Sequence, residues 1–464
     1  MPGYDEPAAM AAYEDVRQRH VARLMAIMPG MVERLHWPAE RIRREREDRL
    51  RDLLRIAKER SPWHRERLRT LDPATAREED LQSVPPMTKL DLMAHWNDIV
   101  TDRRLSLDIV EDHLAGLRTD AYLLDEFHAV ASGGSTGRRG VFVFGWDEWA
   151  IAHAGFMRRS LWDRAVTPEQ ASLPNTVAMV AAQSATHMTS ALGQTFSNPA
   201  VRIEHFPVTQ PLDVIVRGLN DFRPTTLIGY ASILGLLAME AREGRLRIAP
   251  RRVVSTSEPL LPEVRQAAEE AFGAPVANIW GTSEAGPMAT GCWRAAGTHL
   301  CDDLVIIEPV DEAGRPVPPG TTSDKVYVTA ISNPTLPLIR FELTDRITVL
   351  DEACPCGSAH RLIADIEGRL DDAFAYGDGV LVHPHVFRSV LGCAAGIVEY
   401  QVQQTARGAE VLALGALDDC AATARRLESE LARLGVSAPS VTVRVVSRLE
   451  RQATGKMRRF VPLS

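Results

Sequence analysis

Short apolar runs alternate with helical patterns between about residues 125 and 290, and this alternation limits the fold more than any other feature of the chain. The predicted buried strands cover residues 141–144, 177–182, 226–228 and 253–255. The predicted helices cover residues 147–162, 232–241 and 262–272. Strands that alternate with helices pack as a layered α/β sheet, so we expect such a sheet in this part of the chain.

The sequence on either side predicts three further units. A helix is expected over residues 31–60 and ends at Ser61-Pro62, because proline cannot continue a helix. Turn sequences separate strands between residues 303 and 350, which predicts an antiparallel β unit. Residues 397–446 have the pattern hairpin, helix, strand, which is typical of a small α+β domain.

The length of 464 residues is more than one compact core usually holds, so two domains are expected. The predicted fold class is α/β, with a large N-terminal layered α/β domain that includes the antiparallel β unit at residues 1–368, and a small C-terminal α+β domain at residues 369–464. A net charge of −8 without a basic half makes nucleic acid a poor candidate partner. No apolar stretch has membrane-spanning length and no signal peptide is evident, so we expect no membrane partner and a cytoplasmic location.

Residues 132–139, Ser-Gly-Gly-Ser-Thr-Gly-Arg-Arg, lie between two apolar runs and carry the first chemical signal. Glycines let the backbone N–H groups approach a polyphosphate, and the hydroxyl and arginine side chains add donors. The motif is not a Walker A loop, because no Gly-Lys-Ser/Thr ends it. Taken alone, it is explained as well by a flexible turn.

Four later motifs are each weak alone. The turn at residues 280–284 offers two hydroxyls and the Glu284 carboxylate, which suits a magnesium ion that bridges phosphates, although the turn could simply lead into a helix. Asp345 can accept hydrogen bonds from both hydroxyls of a ribose, although a salt-bridged surface strand has the same pattern. Residues 368–372 lie between the predicted domains. Lys456 follows a glycine near the C-terminus, where a lysine is usually just exposed.

The order and spacing of these five motifs resemble those of the adenylate-forming superfamily of acyl-CoA synthetases, peptide-synthetase adenylation domains and luciferases. Residues 61–64, Ser-Pro-Trp-His, and 84–89, Val-Pro-Pro-Met-Thr-Lys, resemble signatures of its phenylacetate-CoA ligase and coenzyme F390 synthetase-like branch. The resemblance covers about residues 40 to 460. It implies that ATP and Mg²⁺ activate a carboxylic acid as acyl-AMP with release of pyrophosphate, and that the acyl group then passes to the thiol of coenzyme A.

The resemblance also implies roles for single residues. Thr282, Glu284 and Lys456 would be catalytic, with Glu284 as a magnesium ligand, and Asp371 would be the hinge of a mobile C-terminal domain that carries Lys456. Residues 132–137 would hold the β- and γ-phosphates, residues 257–259 and Trp280 the adenine, and Asp345 the ribose. The full cofactor-binding set is Ser132, Gly133, Gly134, Ser135, Thr136, Gly137, Ser257, Glu258, Pro259, Trp280, Gly281, Ser283, Asp345 and Arg369.

The chain departs from the family pattern at three places, which implies a diverged, specialised member, as in secondary metabolism. Arg138-Arg139 stands where the family often has Lys-Pro, and Trp280 stands where it usually has Tyr. Glu342-Leu343 interrupts the usual Arg-Thr stretch before the ribose aspartate.

A second site is predicted from cysteine and histidine spacing. Cys292 and His299 are followed by the pair Cys354 and Cys356, and such a set can make a tetrahedral zinc site. Phenylacetate-CoA ligase-like proteins have similar spacing, and the resemblance implies a structural zinc ion. Cys301 and His360 are competing ligands, and free cytosolic thiols with a surface histidine are the alternative.

The acyl pocket is expected near His187, Gly229 and Tyr230, with the turn at His205-Phe206 as a further candidate, although His187 is as readily a packing residue. By family analogy the substrate is a small-molecule carboxylic acid, either aryl or small cyclic. An amine or a carrier-protein thiol is the alternative acceptor to coenzyme A. A non-catalytic binding homologue is a third hypothesis, against which Glu284, Asp345 and Lys456 speak. Homodimers are common in this branch, which makes a homodimer an expectation here.

Overall fold

The computed structural model of the chain describes residues 6–132, 140–166, 175–181, 185–197, 201–208, 210–294, 297–364, 366, 374–377, 380–382, 385–391, 394, 397–417, 419–450 and 457–463. Helical segments dominate the first 120 residues. They are α1 (Glu6–Glu33), α2 (Ala39–Arg60), α3 (Pro62–Arg67), α4 (Lys89–Ala94), α5 (Trp96–Ile99) and α6 (Leu107–Gly116).

The predicted helix over residues 31–60 is wrong at its start and correct at its end. Trp37 and Pro38 have extended backbones and separate α1 from α2, and a 3-10 turn at Arg34–His36 precedes them. Pro38 fits immediately before the first turn of α2, where its missing N–H costs nothing. Helix α2 ends at Arg60, and the Ser61 side chain then caps α3 by accepting from the backbone N of His64.

The described residues form a mixed central sheet of eight strands. Its spatial order is β13 (Leu362–Ile363), β9 (Thr298–Leu300), β8 (Gly286–Gly291), β7 (Val276–Thr282), β6 (Arg252–Thr256), β5 (Thr226–Gly229), β3 (Thr176–Ala181) and β4 (Arg202–Pro207). Strands β4, β3, β5, β6 and β7 run parallel, and β8, β9 and β13 continue the sheet antiparallel. The carboxyl ends of the parallel strands therefore meet at one edge, where α/β sheets bind ligands.

Helices follow the parallel strands, as the alternating pattern predicts. They are α8 (Met188–Thr195), α9 (Leu212–Phe222), α10 (Ala231–Arg242) and α11 (Pro262–Phe272). Apolar side chains of α9, α10 and α11 pack with β3 to β7 in one buried cluster. A second cluster joins α7 (Trp146–Ala165) and the hairpin β1 (His128–Ala131) and β2 (Val141–Phe144) to strands β7 to β9. The layered α/β arrangement is thus confirmed.

An antiparallel sheet and a smaller C-terminal unit complete the fold. Strands β10 (Ile306–Val310), β11 (Lys325–Thr329) and β12 (Phe341–Leu343) form the predicted antiparallel unit. The C-terminal unit has its own apolar core and comprises β14 (Phe374–Ala375), β15 (Leu381–Val382), α12 (His385–Leu391), β16 (Ile397–Thr405), β17 (Gly408–Gly415), α13 (Cys420–Arg433), β18 (Ser440–Val445) and β19 (Phe460–Val461). The order hairpin, helix, strand is confirmed, whereas the boundary at residue 368 stays a prediction. Within the described ranges, no helix is both long and apolar enough to cross a bilayer.

Candidate active site

Predicted site residues follow three neighbouring parallel strands at their carboxyl ends. Gly229 ends β5 and is followed by Tyr230, Ser257 and Glu258 follow β6, and Thr282 ends β7. Because β5, β6 and β7 are adjacent, these residues lie side by side along one edge of the sheet. Ser257 has a positive φ of 65°, which turns the chain sharply after β6.

The base of the glycine-rich loop is closed by two hydrogen bonds. The backbone N of Ser132 donates to the carbonyl O of Gly140, and the backbone N of Gly140 donates to Ser132 Oγ, both at 2.9 Å. Thr186 anchors the neighbouring strand, since its carbonyl O accepts from the backbone N of Ala131 at 3.0 Å. The remaining loop residues assigned to phosphate binding, at positions 133–137, lie outside the described residues.

One lysine brings the loop and the acidic turn together. Lys89 Nζ lies 3.3 Å from Ser132 Oγ and 3.4 Å from Glu284 Oε1. Glu284 is only 4% exposed, so its carboxylate faces this ammonium with little water to screen it. The two motifs are therefore adjacent, and the space between them already holds a positive charge.

Lys89 is not among the residues predicted for the site, although residues 84–89 resemble a family signature. The segment is held by the antiparallel unit: the backbone N of Met87 donates to the carbonyl O of Arg340, and the backbone N of Glu342 donates to the carbonyl O of Met87. Arg340 Nη1 also donates to the carbonyl O of Val84 at 2.6 Å. Asp345 lies two residues beyond β12 and is buried. The strand that leads to the predicted ribose ligand thus also positions Lys89.

The turn at residues 280–284 is ordered by its own hydroxyl. Thr282 Oγ1 accepts from the backbone N of Ala285 at 3.1 Å, which fixes the turn between β7 and β8. Trp280 belongs to the buried apolar cluster, and its Nε1 has no hydrogen-bond partner among the described residues. Gly281 has little room for a side chain, because a Cβ there would lie 2.6 Å from the Phe156 ring.

The residues assigned to the acyl pocket are placed at helix starts next to this edge. His187 directly precedes α8, and the buried Tyr230 directly precedes α10. The prediction of a turn at His205-Phe206 is wrong, because both residues lie inside the edge strand β4, which pairs with β3 along its whole length, whereas their role in the acyl pocket stays a prediction. Arg369, Asp371 and Lys456 lie outside the described residues, and their roles stay predictions.

The four predicted zinc ligands form one cluster. The ligand atoms of Cys292, His299, Cys354 and Cys356 lie within 4.8 Å of one another. The sulfurs of Cys292 and Cys354 are 3.6 Å apart, and Cys356 Sγ is 3.2 Å from His299 Nε2. Zn–S bonds of about 2.3 Å in a tetrahedron place sulfurs about 3.8 Å apart, so the spacing suits zinc and excludes a disulfide.

Hydrogen bonds around this cluster also suit metal binding. His299 Nδ1 contacts the carbonyl O of His360 at 2.9 Å, which leaves Nε2 free to bind a metal. Burial lowers the pKa of His299 to about 4, so the imidazole is neutral, as a ligand must be. Backbone N–H groups of Arg294 and Ser358 point at the sulfurs of Cys292 and Cys356, at 3.4 and 3.5 Å.

The competing ligands have other partners. Cys301 hydrogen-bonds to Arg158, and His360 contacts the carbonyl O of Arg34 through Nε2 at 3.1 Å. Arg158 forms a buried bidentate ion pair with Asp303, with both N–O distances at 2.7 Å. Burial raises the pKa of the Asp303 carboxyl, but the Arg158 guanidinium lowers it more, so this pKa lies well below its ordinary value.

Comparison with known proteins shows what the chain is similar to. No protein-family model matches the chain. The chain is 28% identical to a phenylacetate-coenzyme A ligase of Thermus thermophilus over 377 residues, which are 79% of this chain and 78% of that protein. A crystal structure of 2-hydroxyisobutyryl-CoA ligase in the postadenylation state has the same fold, with a TM-score of 0.70 at 22% identity over 92% of this chain and 91% of that one. The chain is therefore similar to acyl-CoA ligases of the adenylate-forming superfamily.

The predicted resemblance to this superfamily is therefore confirmed, together with the relation to phenylacetate-CoA ligase. The same 2-hydroxyisobutyryl-CoA ligase in its thioesterification state gives a lower TM-score of 0.59 at the same coverage. The fold of this chain is thus more similar to the postadenylation structure than to the thioesterification structure.

Proposed function

We propose that the chain is an AMP-forming acid–CoA ligase. In the first step, a carboxylate oxygen of the acid attacks the α-phosphorus of ATP, the bond between the α-phosphorus and its bridging oxygen breaks, and pyrophosphate leaves. In the second step, the thiolate of coenzyme A attacks the acyl carbon and AMP leaves. The family relation and the fold support both steps.

The observation that carries the proposal is the meeting of Ser132 and Glu284 at Lys89. A triphosphate that enters between the glycine-rich loop and the acidic turn would exchange the Lys89 contact with Glu284 for contacts with its own oxygens. Lys89, the loop N–H groups and the Thr282 hydroxyl would then face the charge that grows on the phosphates in the transition state. Asp345 and Arg369 would hold the ribose.

The residues fit a magnesium ion at Glu284. This carboxylate is buried and already faces a cation, the Lys89 ammonium. Bound magnesium supplies positive charge to phosphate oxygens. Lys456 would reach the α-phosphate from the C-terminal unit and stabilise the attacking and leaving oxygens, and rotation about Asp371 would withdraw it before thioester formation.

The Cys/His cluster fits a structural zinc ion on its distances and its hydrogen bonds. Cys292, His299, Cys354 and Cys356 would fill all four positions, which leaves none for catalysis. The metal would join Cys292, which follows β8, and His299 in β9 to residues 354–356.

The decisive test is a screen of carboxylic acids for ATP-dependent pyrophosphate release, with aryl and small cyclic acids first. Release with at least one acid, and CoA thioester after addition of coenzyme A, is the expected result. Release without thioester, but with product when an amine or a carrier protein is added, would favour the alternative acceptor. No release with any acid would contradict the proposal.

A further inference from the structure

The Glu258 carboxylate joins the large part of the chain to the C-terminal unit. Glu258 Oε2 accepts from the backbone N of Ser232 at 2.9 Å, and Oε1 accepts from the backbone N of Met457 at 2.8 Å. Ser232 lies in the first turn of α10, whereas Met457 directly follows Lys456 in the sequence. A single side chain therefore fixes the backbone next to the predicted catalytic lysine, 199 positions away in the chain.

The position of Glu258 at the N-terminus of α10 strengthens its hydrogen bonds. The first N–H groups of α10 have no partner within the helix, and the helix dipole places positive potential there. A carboxylate that accepts from that end is stabilised, and its hydrogen bonds are stronger than those between neutral groups. Helix α10 also packs against β16 of the C-terminal unit, so the Met457 contact belongs to a wider interface.

We propose that Glu258 is a positioning residue that holds the C-terminal unit in the orientation for acyl-AMP formation. This inference rests on the proposed function and adds to the adenine-contacting role that the resemblance implies for residues 257–259. The contact with Met457 must break when the C-terminal unit turns for thioester formation. The contact of Glu258 with Met457 therefore serves the first half-reaction and not the second, whereas an adenine contact would serve both.

The Glu258→Gln variant tests the half-reactions separately. Glutamine keeps the size but replaces one carboxylate oxygen with an NH2 donor, so Ser232 and Met457 no longer each have an acceptor atom of their own. We expect acyl-AMP formation to fall roughly ten- to hundred-fold, the value of a hydrogen bond to a charged group. Thioester formation from supplied acyl-AMP should fall clearly less, because only an adenine contact would be shared by both half-reactions, and the remaining activity shows that the variant is folded.

Glu263→Gln is the matched control, because Glu263 lies in the first turn of α11, five positions along the chain. It should leave both half-reactions unchanged. An equal fall of both half-reactions in Glu258→Gln, or no fall in either, would overturn the inference.

A second pair of variants leaves Glu258 in place. Met457→Pro removes the backbone N–H that Glu258 binds, whereas Met457→Leu keeps it. Met457→Pro should lose acyl-AMP formation selectively and Met457→Leu should not. Unchanged acyl-AMP formation in Met457→Pro would contradict the proposed contact.

Hydrogen exchange tests the contact without any catalysis. Residues 457–463 should exchange faster in Glu258→Gln than in Glu263→Gln, because the first of these amides loses its acceptor. If the unmodified chain releases no pyrophosphate with any acid, the proposed function fails while this measurement still reports on Glu258. Equal exchange in the two variants would show that the carboxylate does not hold the segment.

Discussion

Lys89 joins the two motifs that are predicted to bind phosphate, through its contacts with Ser132 and Glu284. The sequence predicted Ser132 and Glu284, because a glycine-serine loop and a carboxylate after a strand have recognisable chemistry. It did not single out Lys89, because that lysine reaches the site only through the pairing of Met87 with Arg340 and Glu342, about 250 positions later. Pairing between segments so far apart in the chain produces no recognisable pattern in the sequence around Lys89.

Lys89→Met tests this residue. The variant keeps the length of the side chain and removes its charge, so binding and activation of ATP should weaken. We expect kcat/KM for ATP to fall roughly ten- to hundred-fold, as for other charged phosphate contacts. Lys58→Met is the control, because Lys58 donates to the carbonyl O of Leu71 elsewhere in the fold. Equal kinetics of the two variants would exclude Lys89 from the site.

The buried ion pair between Asp303 and Arg158 should contribute to the stability of the fold. Asp303→Asn leaves a buried guanidinium without its counter-charge, so unfolding free energy should fall by about 3–5 kcal/mol. Asp213→Asn, which breaks the exposed pair with Arg217, should change it by less than about 0.5 kcal/mol. Urea unfolding measures both.

The pH dependence of this ion pair has a defined sign. The pKa of Asp303 is lowered in the folded chain, so its contribution to stability is complete above the ordinary value of 3.8. The contribution is lost as the pH falls through the lower, folded value. The difference between the original chain and Asp303→Asn should therefore shrink in acid, and a difference that grows there would contradict the ion-pair account.

At the scale of elements, the parallel strands were the most predictable part. Strand β2 matches the predicted residues 141–144, and β5 and β6 extend their predictions by one or two residues, because buried strands are continuous apolar runs. Helix α1 was missed up to residue 30, since its Ala-rich first half and Pro29 give no clear helical stripe. Its packing against α7 stabilises it, and that contact is tertiary.

The Cys/His cluster brings separate elements together, because Cys292 follows β8, His299 lies in β9, and Cys354 and Cys356 come from a later segment. The four residues of the cluster were predicted from the sequence, but Cys301 and His360 remained alternative ligands. Only the structure shows that Cys301 contacts Arg158 and that His360 contacts Arg34 instead. The purified chain should contain about one zinc ion, which atomic emission would count.

Cys354→Ser should lose that zinc and unfold at a lower temperature, because a structural metal contributes binding energy to the folded state. Cys420→Ser is the matched control, since Cys420 starts α13 and lies outside the cluster. Full zinc content in Cys354→Ser, or equal loss in both variants, would count against the site.

At the scale of the whole molecule, the proposed acyl-AMP formation requires that the C-terminal unit contacts the edge of the central sheet. Glu258 and Met457 mark that meeting point, next to the lysine that the resemblance assigns to catalysis. Nothing in the sequence predicts this contact, because a backbone N–H carries no signature. The family pattern predicts only that Lys456 must arrive there.

Separate assays of the two half-reactions in Lys456→Ala, with Lys58→Ala as the control, show whether Lys456 acts in acyl-AMP formation. We expect Lys456→Ala to lose acyl-AMP formation by about 10²–10³-fold, because one charge that faces the transition state is gone. Thioester formation from supplied acyl-AMP should be retained. Equal loss of both half-reactions, or full acyl-AMP formation without Lys456, would contradict this role of Lys456.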